Sequence, residues 1–382
     1  MILFIVSFFA KNISESSMNE SLYSQSLIIS LPLMLFFGLH MLFGRTPEKK
    51  VFANYLLSRR LMGVALIILA ANYSVHLFYS IRTKDVNATI LMNLSTYFIC
   101  YWLFSSAMMT LLDNRYITRR RFGYHISMWL IFFSLAGAVT LSPVFNSLRA
   151  LGIGVLAAWL VIYGLFLSVR LLRTYSRAIK MFNDTHSDDI GSYIRWLSIF
   201  TYWAIGYGVS CSLLTFLPDK YIFIWILSSI PFYIYLYCSY QNYILFYERV
   251  EKALIEENDE EIYESTSNAQ PSYHTDIEKR IKEWVDNEGY ITQGITLNGL
   301  SIKLCTNRTY LSEYINTTYQ SNFRDWITNM RIEYAKSLMR QHQDYKLQDI
   351  SEASGFLSVS HFTRTFKAKE GCSPSRWRET CF

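Results

Sequence analysis

Residues Leu347–Glu379 read LQDISEASGFLSVSHFTRTFKAKEGCSPSRWRE, and this stretch holds two short helical patterns with a tight join between them. In the first, Leu347, Ile350 and Ala353 fall on one inward face, and Gly355 follows as the residue able to turn the chain through positive φ. In the second, SVSHFTRTFKAKEG sets Phe362 and Phe366 one turn apart as core residues. Ser373 then stands as an N-cap, with Pro374 at the first position of a final short helix. Two short helices with a glycine at the joint make a helix-turn-helix candidate.

Working upstream, the arrangement recurs. TLNGLSIKLC is a helical pattern, and TNRTYLSEYINTTY after it opens on Thr306, a suitable N-cap, and carries Tyr310, Leu311, Tyr314 and Ile315 at helical spacing. Between the two units, NFRDWITNMRIEYAKSLMR keeps Phe323, Trp326, Ile327, Met330, Tyr334 and Leu338 on one face, which predicts one long helix joining them. A further amphipathic helix is expected over Thr275–Asn287, on Ile277, Ile281, Trp284 and Val285.

Two helix-turn-helix units joined by a long helix resemble the DNA-binding domain of the AraC/XylS family of transcription regulators. The resemblance covers about Asp276 to Glu379, and its most diagnostic run is GFLSVSHFTRTFKAKEGCSPSRWR; the first unit adds YLS at Tyr310–Ser312, Phe323 and RIEYAKSLM from Arg331. Ser301 and Ser351 stand where the family usually has alanine, each adding a hydroxyl that needs a partner. Gln320 stands where a glycine is usual. The resemblance implies a domain that reads two adjacent major-groove segments of double-stranded DNA. It places Arg308, Thr309, Ser312 and Glu313 at base edges from the first recognition helix, and Val359, Ser360, His361 and Arg364 from the second. Arg364 suits bidentate contact to guanine, Glu313 suits the cytosine amine and Val359 a thymine methyl. Asn316, Lys367 and Lys369 are better placed for phosphate, which positions without specifying.

The remainder of the chain has another character. Of 382 residues 51% are hydrophobic and 17% charged, against roughly 25% charged in an average soluble chain. Between Ser21 and Tyr247 lie seven runs without Asp, Glu, Lys or Arg: Ser21–Gly44, Leu61–Ile81, Ile90–Leu112, Phe122–Leu141, Ala150–Val169, Trp196–Leu217 and Tyr221–Tyr247. Each has about the 20 residues that cross roughly 30 Å of hydrocarbon, where the backbone must satisfy itself as helix. The fold class expected is therefore all-α: a polytopic seven-helix transmembrane bundle followed by a soluble domain with two helix-turn-helix units. The domains expected are a tail over 1–20, which an over-extended start before Met18 would also explain, a seven-span region over 21–247, an acidic cytoplasmic linker over 248–274 and the DNA-binding domain over 275–382.

Charge distribution gives the orientation. If the first span runs outside to inside, the inner loops hold 14 Lys and Arg, among them Arg119, Arg120 and Arg121, and the outer loops hold 4. The N-terminus is then outside and the C-terminal domain cytoplasmic, in the inner membrane of a bacterium. The net charge of +6 averages unlike parts, since Leu245–Glu288 carries 5 basic and 13 acidic residues, whereas Gly289–Phe382 carries 12 and 8. In the linker Phe246, Val250, Ala253 and Leu254 form a short apolar stripe, able to pair two protomers into a homodimer or to lie on a solvated acidic helix.

Polar groups inside the spans are few: His40, Asn72, His76, Asn93 and His125, with no carboxylate or amine. That argues against an ion-coupled transporter. Asn72 and His76 share one helical face and suit either a ligand or a partner helix. The six cysteines show no metal-ligand spacing, and no Gly-rich phosphate loop or catalytic arrangement is present, so neither cofactor, metal nor enzymatic activity is expected. The function expected is that of a membrane-embedded one-component regulator, responding to an unknown small-molecule or membrane signal. The alternatives are a transporter or receptor-like bundle with a reporting DNA-binding tail, and a passive membrane anchor, for which one helix would suffice.

Overall fold

The computed structural model describes residues 15–47, 49–113, 115–145, 147–214, 221–264 and 277–380. Most of the expected tail and the end of the expected linker lie outside these. Fourteen helices organise the described residues, apart from one-turn pieces: α1 (Glu15–Phe43), α2 (Ala53–Tyr79), α3 (Val86–Thr110), α4 (Arg119–Leu141), α5 (Arg149–Thr185), α6 (Gly191–Leu214), α7 (Ile222–Glu264), α8 (Ile277–Asp286), α9 (Leu297–Lys303), α10 (Arg308–Tyr319), α11 (Phe323–Gln341), α12 (Leu347–Ala353), α13 (Val359–Glu370) and α14 (Pro374–Thr380). The fold is all-α, seven long helices followed by a helix-turn-helix region. The chain divides into two compact units, Met1–Tyr175 with Arg195–Leu254, and Ser176–Ile194 with Ile255–Phe382.

The first unit holds the apolar helices. Among the described residues six are long and apolar enough to cross a membrane: Leu22–Phe43, Lys50–Tyr79, Val86–Thr110, Arg119–Leu141, Arg149–Thr185 and Ile222–Leu254. The seventh long helix, α6, has 24 residues and is not among these six. Packing centres on α3, where the Phe98 ring stacks on Phe132 of α4 at 4.6 Å and on Tyr163 of α5 at 4.3 Å. Polar groups pair between helices: Asn72 Nδ2 donates to Asn93 Oδ1 at 3.1 Å and to Thr96 Oγ1 at 3.2 Å, and His76 Nε2 lies 2.9 Å from Asn93 Oδ1. His125 Nδ1 meets the Tyr163 hydroxyl at 2.9 Å. The Asn72 and His76 bonds join α2 to α3, and both residues also line a small cavity with Tyr23, Arg82 and Asn93.

Helix α7 runs on as one element beyond its apolar stretch, to Glu264. The apolar stripe there is covered by the chain itself: Val250, Ala253 and Leu254 are buried, and only Phe246 is exposed. The buried Glu251 accepts from the Tyr247 hydroxyl at 2.6 Å and from Asn54 Nδ2 at 3.0 Å. The stripe packs inward and leaves little apolar face for a second protomer.

In the second unit α11 serves two cores. Its first half, Phe323, Trp326 and Ile327, packs with Ile281, Trp284, Leu300 and Leu311; its second half, Ile332, Ala335, Leu338 and Met339, packs with Ile350, Phe356, Phe362 and Phe366. Burying each such side chain contributes about 1.5–3 kcal/mol. At the middle sits Arg331, 1% exposed, whose Nε donates to the Tyr290 carbonyl at 2.8 Å and Nη2 to the Thr292 carbonyl at 2.7 Å. The same segment braces the second helix-turn-helix, since Gln293 Nε2 donates to the Phe356 carbonyl at 3.2 Å.

Local signals differ from the sequence reading at three points. Asn307, not Thr306, caps α10, its side chain accepting from the Tyr310 amide at 2.7 Å. Ala353 is exposed, and Ser351 and Ser354 are the buried neighbours of Ile350. The first joint has a left-handed residue too: Cys305, at φ 49°, matches Gly355, at φ 80°. The Thr306 amide bonds the Ser301 carbonyl just as the Phe356 amide bonds that of Ser351. Gln320, at φ 50°, also takes the left-handed turn that suits glycine. Of the two extra serines, Ser301 donates to the Asn298 carbonyl at 2.8 Å, whereas the buried Ser351 hydroxyl has no partner among the described residues.

Cys305→Gly is therefore expected to stabilise the chain by about 1 kcal/mol, by relieving left-handed strain. Ser351→Ala should stabilise by a similar amount, about 1 kcal/mol, by removing an unpaired buried hydroxyl. Gly355→Ala is expected to destabilise by more, because its Cβ would run into the Ile291 carbonyl. Denaturant unfolding of the purified chain, followed by tryptophan fluorescence, checks all three signs.

Candidate nucleic-acid interface

Helix α10, the first expected recognition helix, begins where the Asn307 side chain caps it, and α13, the second, where the Ser358 hydroxyl accepts from the His361 amide at 3.2 Å. Capping sets the first-turn residues at the open end of each helix, where a groove-entering helix meets base edges. On α10, Leu311 and Ile315 are buried, which turns Thr309, Glu313 and Asn316 outward, with Arg308 and Ser312 half-exposed. Asn316 Nδ2 lies 3.4 Å from Ser312 Oγ. On α13, Phe362 and Phe366 face the core, Ser360, Arg364, Lys367 and Lys369 are exposed, and Val359 is half-buried.

His361 is placed differently from its neighbours. It is 9% exposed, its ring meets Phe356 edge-on at 5.5 Å, and its Nε2 has no partner among the described residues. Burial holds its pKa well below the usual imidazole range; Asp189 opposes that shift, and Arg324, Arg364 and Arg331 reinforce it. As placed, the ring faces inward.

The unit also contains a segment that the sequence reading assigned only to the loop after the fifth span. The end of α5 and the turn after it pack on the helix-turn-helix region. His186 forms an antiparallel bridge with Thr296, and the Ser187 amide donates to the Ile295 carbonyl at 3.0 Å. The Asp189 carboxylate pairs with Arg324 at 2.9 Å and with Arg364, while Asp188 lies 3.6 Å from the buried Arg331. Arg324 Nη1 also donates to Asn183 Oδ1 at 2.9 Å. Arg308, Thr309, Ser312, Glu313 and Asn316 together line one cleft, whose other wall is Arg177, Lys180 and Asp184 of α5. Five of the expected contact residues are thus gathered in one place, and Arg364 is engaged by a carboxylate.

Sequence reasoning did not single out Arg324, Asp188 or Asp189. A signal was present in SDDIG at Ser187–Gly191, an acidic pair inside a loop otherwise notable for Arg170, Arg173, Arg177 and Lys180. Among the described residues no group of His, Cys, Asp and Glu is arranged to hold a metal ion.

Residues 300–380 match a family described as a helix-turn-helix domain. The C-terminal region is a helix-turn-helix domain of the AraC type. The virulence regulon transcriptional activator VirF of Yersinia enterocolitica is 32% identical over 103 residues, 27% of this chain and 37% of that protein. The HTH-type transcriptional regulator ExsA of Pseudomonas aeruginosa is 37% identical over 71 residues, 19% of this chain and 25% of that one. The melibiose operon regulatory protein of Escherichia coli is 30% identical over 87 residues, 23% of this chain and 28% of its own. The chain thus spans between a quarter and little more than a third of the length of these relatives. No solved structure matches it.

Burial also lowers the His186 pKa, to about 4, with Arg308 adding to the shift. An imidazole that stays neutral in the packed state but takes a proton at about 6.5 when released favours release as pH falls between those values. The backbone bond at Ser187 is thus expected to lose hydrogen-exchange protection from pH 6.5 towards 4, after correction for intrinsic exchange. His186→Gln should reduce that dependence. Protection that stays constant across the interval in the wild-type chain would count against neutral burial.

Proposed function

We propose that the chain is a membrane-embedded one-component transcription regulator, in which an AraC-type domain binds DNA sequence-specifically under control of a seven-helix sensor. The observation that carries this reading is covalent: one chain joins an AraC-type domain to seven long apolar helices. Support for lipid around those helices comes from α5, which is apolar on both sides. Ile153, Leu156, Leu160 and Leu167 are buried, while Leu151, Val155, Ile162 and Phe166 face outward on the same helix. An outer face of that kind is costly in water and natural in hydrocarbon.

The exposed side chains of α10 and α13 support base reading, with Arg364 directed at guanine and Lys367 and Lys369 at phosphate. The three relatives are a transcriptional activator, a transcriptional regulator and an operon regulatory protein, and the same kind of role is proposed here for the C-terminal domain. For the sensor, a cavity inside the first unit, lined by Tyr73, Tyr101, Phe104, Phe200, Trp225 and Phe232, supports a small apolar signal. The distribution of Lys and Arg supports an outside N-terminus and a cytoplasmic reader in a bacterial inner membrane.

Two experiments test this. The full chain should sediment with membranes, and a periplasm-dependent reporter fused at Asn146 should be active while one fused at Arg119 is silent; the reverse pattern would invert the topology. The Arg364→Ala chain should insert equally well but lose about 1–3 kcal/mol of specific binding to a duplex selected from a random-sequence library. Binding unchanged by that substitution would remove Arg364 from the interface.

A further inference from the structure

The segment Ser176–Ile194 lies on the side chains that the proposed reader would use. We propose that it is an internal occupant of the DNA-reading surface, so that the segment and duplex DNA compete for the same residues. This rests on the reading of α10 and α13 as recognition helices.

Two contacts, on α13 and α11, and one shared cleft, at α10, carry the argument. At the second helix, the Asp189 carboxylate engages Arg364, and the side chain of Asp189 is only 15% exposed where that of Arg364 is 56% exposed. A carboxylate offers a guanidinium two acceptor oxygens, the same chemistry that a phosphate or the O6 and N7 of guanine would offer. One guanidinium fork cannot face both. On α11, the same carboxylate holds Arg324 at 2.9 Å, which fixes the acidic turn against the domain. At the first helix, Lys180 and Asp184 of α5 form the wall opposite Arg308 and Ser312, where a duplex would have to enter.

The contact is built to be released. The pair at Arg364 is open to solvent on its arginine side, where an ion pair contributes little, and the backbone anchoring among the described residues is the bridge at His186 together with the Ser187 amide. Polyanionic DNA supplies many phosphates against one or two carboxylates. Because the occupant is the tail of α5, an uninterrupted helix from Arg149 to Thr185, a change in the apolar part of that helix has a continuous covalent path to the masking segment. Coupling then needs only that the two states of the bundle favour docked and undocked segments differently.

The test uses the full chain in lipid nanodiscs and a fluorescent duplex selected on the Asp189→Asn chain from a random-sequence library. Asp189→Asn is isosteric and is expected to bind the duplex about fivefold or more tightly than wild type. Asp344→Asn, which removes the same charge from an exposed loop, should change affinity by less than about twofold. Asp189→Lys, which repels Arg324 and Arg364, should bind at least as tightly as wild type. In the wild-type chain, saturating duplex should also remove the hydrogen-exchange protection of the Ser187 amide. Asp189→Asn binding no more tightly than Asp344→Asn, or Ser187 protection unchanged with duplex bound, would overturn the proposal while leaving the reader intact. Failure to select any duplex on any of these chains would overturn the reading of the recognition helices, and the masking with it.

Discussion

The Arg331 guanidinium is buried at the middle of α11 and held by the Tyr290 and Thr292 carbonyls, and the geometry of the C-terminal unit depends on it. A buried cation is tolerated only when its donors are satisfied, so neither the turn at 289–292 nor α11 is free to rotate. Ile291, in that turn, touches Gly355 so closely that a Cβ is excluded there, and Gln293 bonds the residue after Gly355. The two helix-turn-helix units are therefore keyed to one segment. The long helix supplies hydrophobic burial on either side of its charge, and the charge fixes the rotational setting that burial alone would leave loose.

The apolar unit has a different economy. In the lipid setting proposed for it, its helices would meet with no hydrophobic gain, so they would rely on close packing and on polar groups that find partners. The Phe98 stack joins α3, α4 and α5, and Asn93 accepts from α2. Inside hydrocarbon those polar groups would have few alternatives, which would make their pairings specific even where each bond contributes little.

Of the fold, what was legible in the sequence was whatever depends on local pattern. Seven uncharged runs gave the apolar helices; the spacing of Phe323, Trp326, Ile327 and Leu338 gave α11; Gly355 gave the turn of the second unit. The first turn was harder, because Cys305 takes the left-handed position without the residue type that announces it. The cap was displaced by one residue because Thr306 and Asn307 are both good caps and only the backbone path chooses between them. Continuation of α5 beyond its apolar run was also hidden, since lack of charge does not mark where a helix stops, whereas the run-on of the last long helix into the acidic stretch was legible.

By itself the sequence determined the all-α class, the two kinds of unit and the residues with the chemistry to meet a base or a phosphate, because periodicity, charge and side-chain type are written locally. Only the tertiary structure decided that His361 faces inward, that the Val250 stripe is covered by its own chain and that Asp189 stands against Arg324 and Arg364. Those outcomes join residues far apart in the chain. An ion pair across about 175 positions leaves no periodic mark in the sequence; it exists only once folding has fixed two distant backbones close enough for a carboxylate to displace water from a guanidinium.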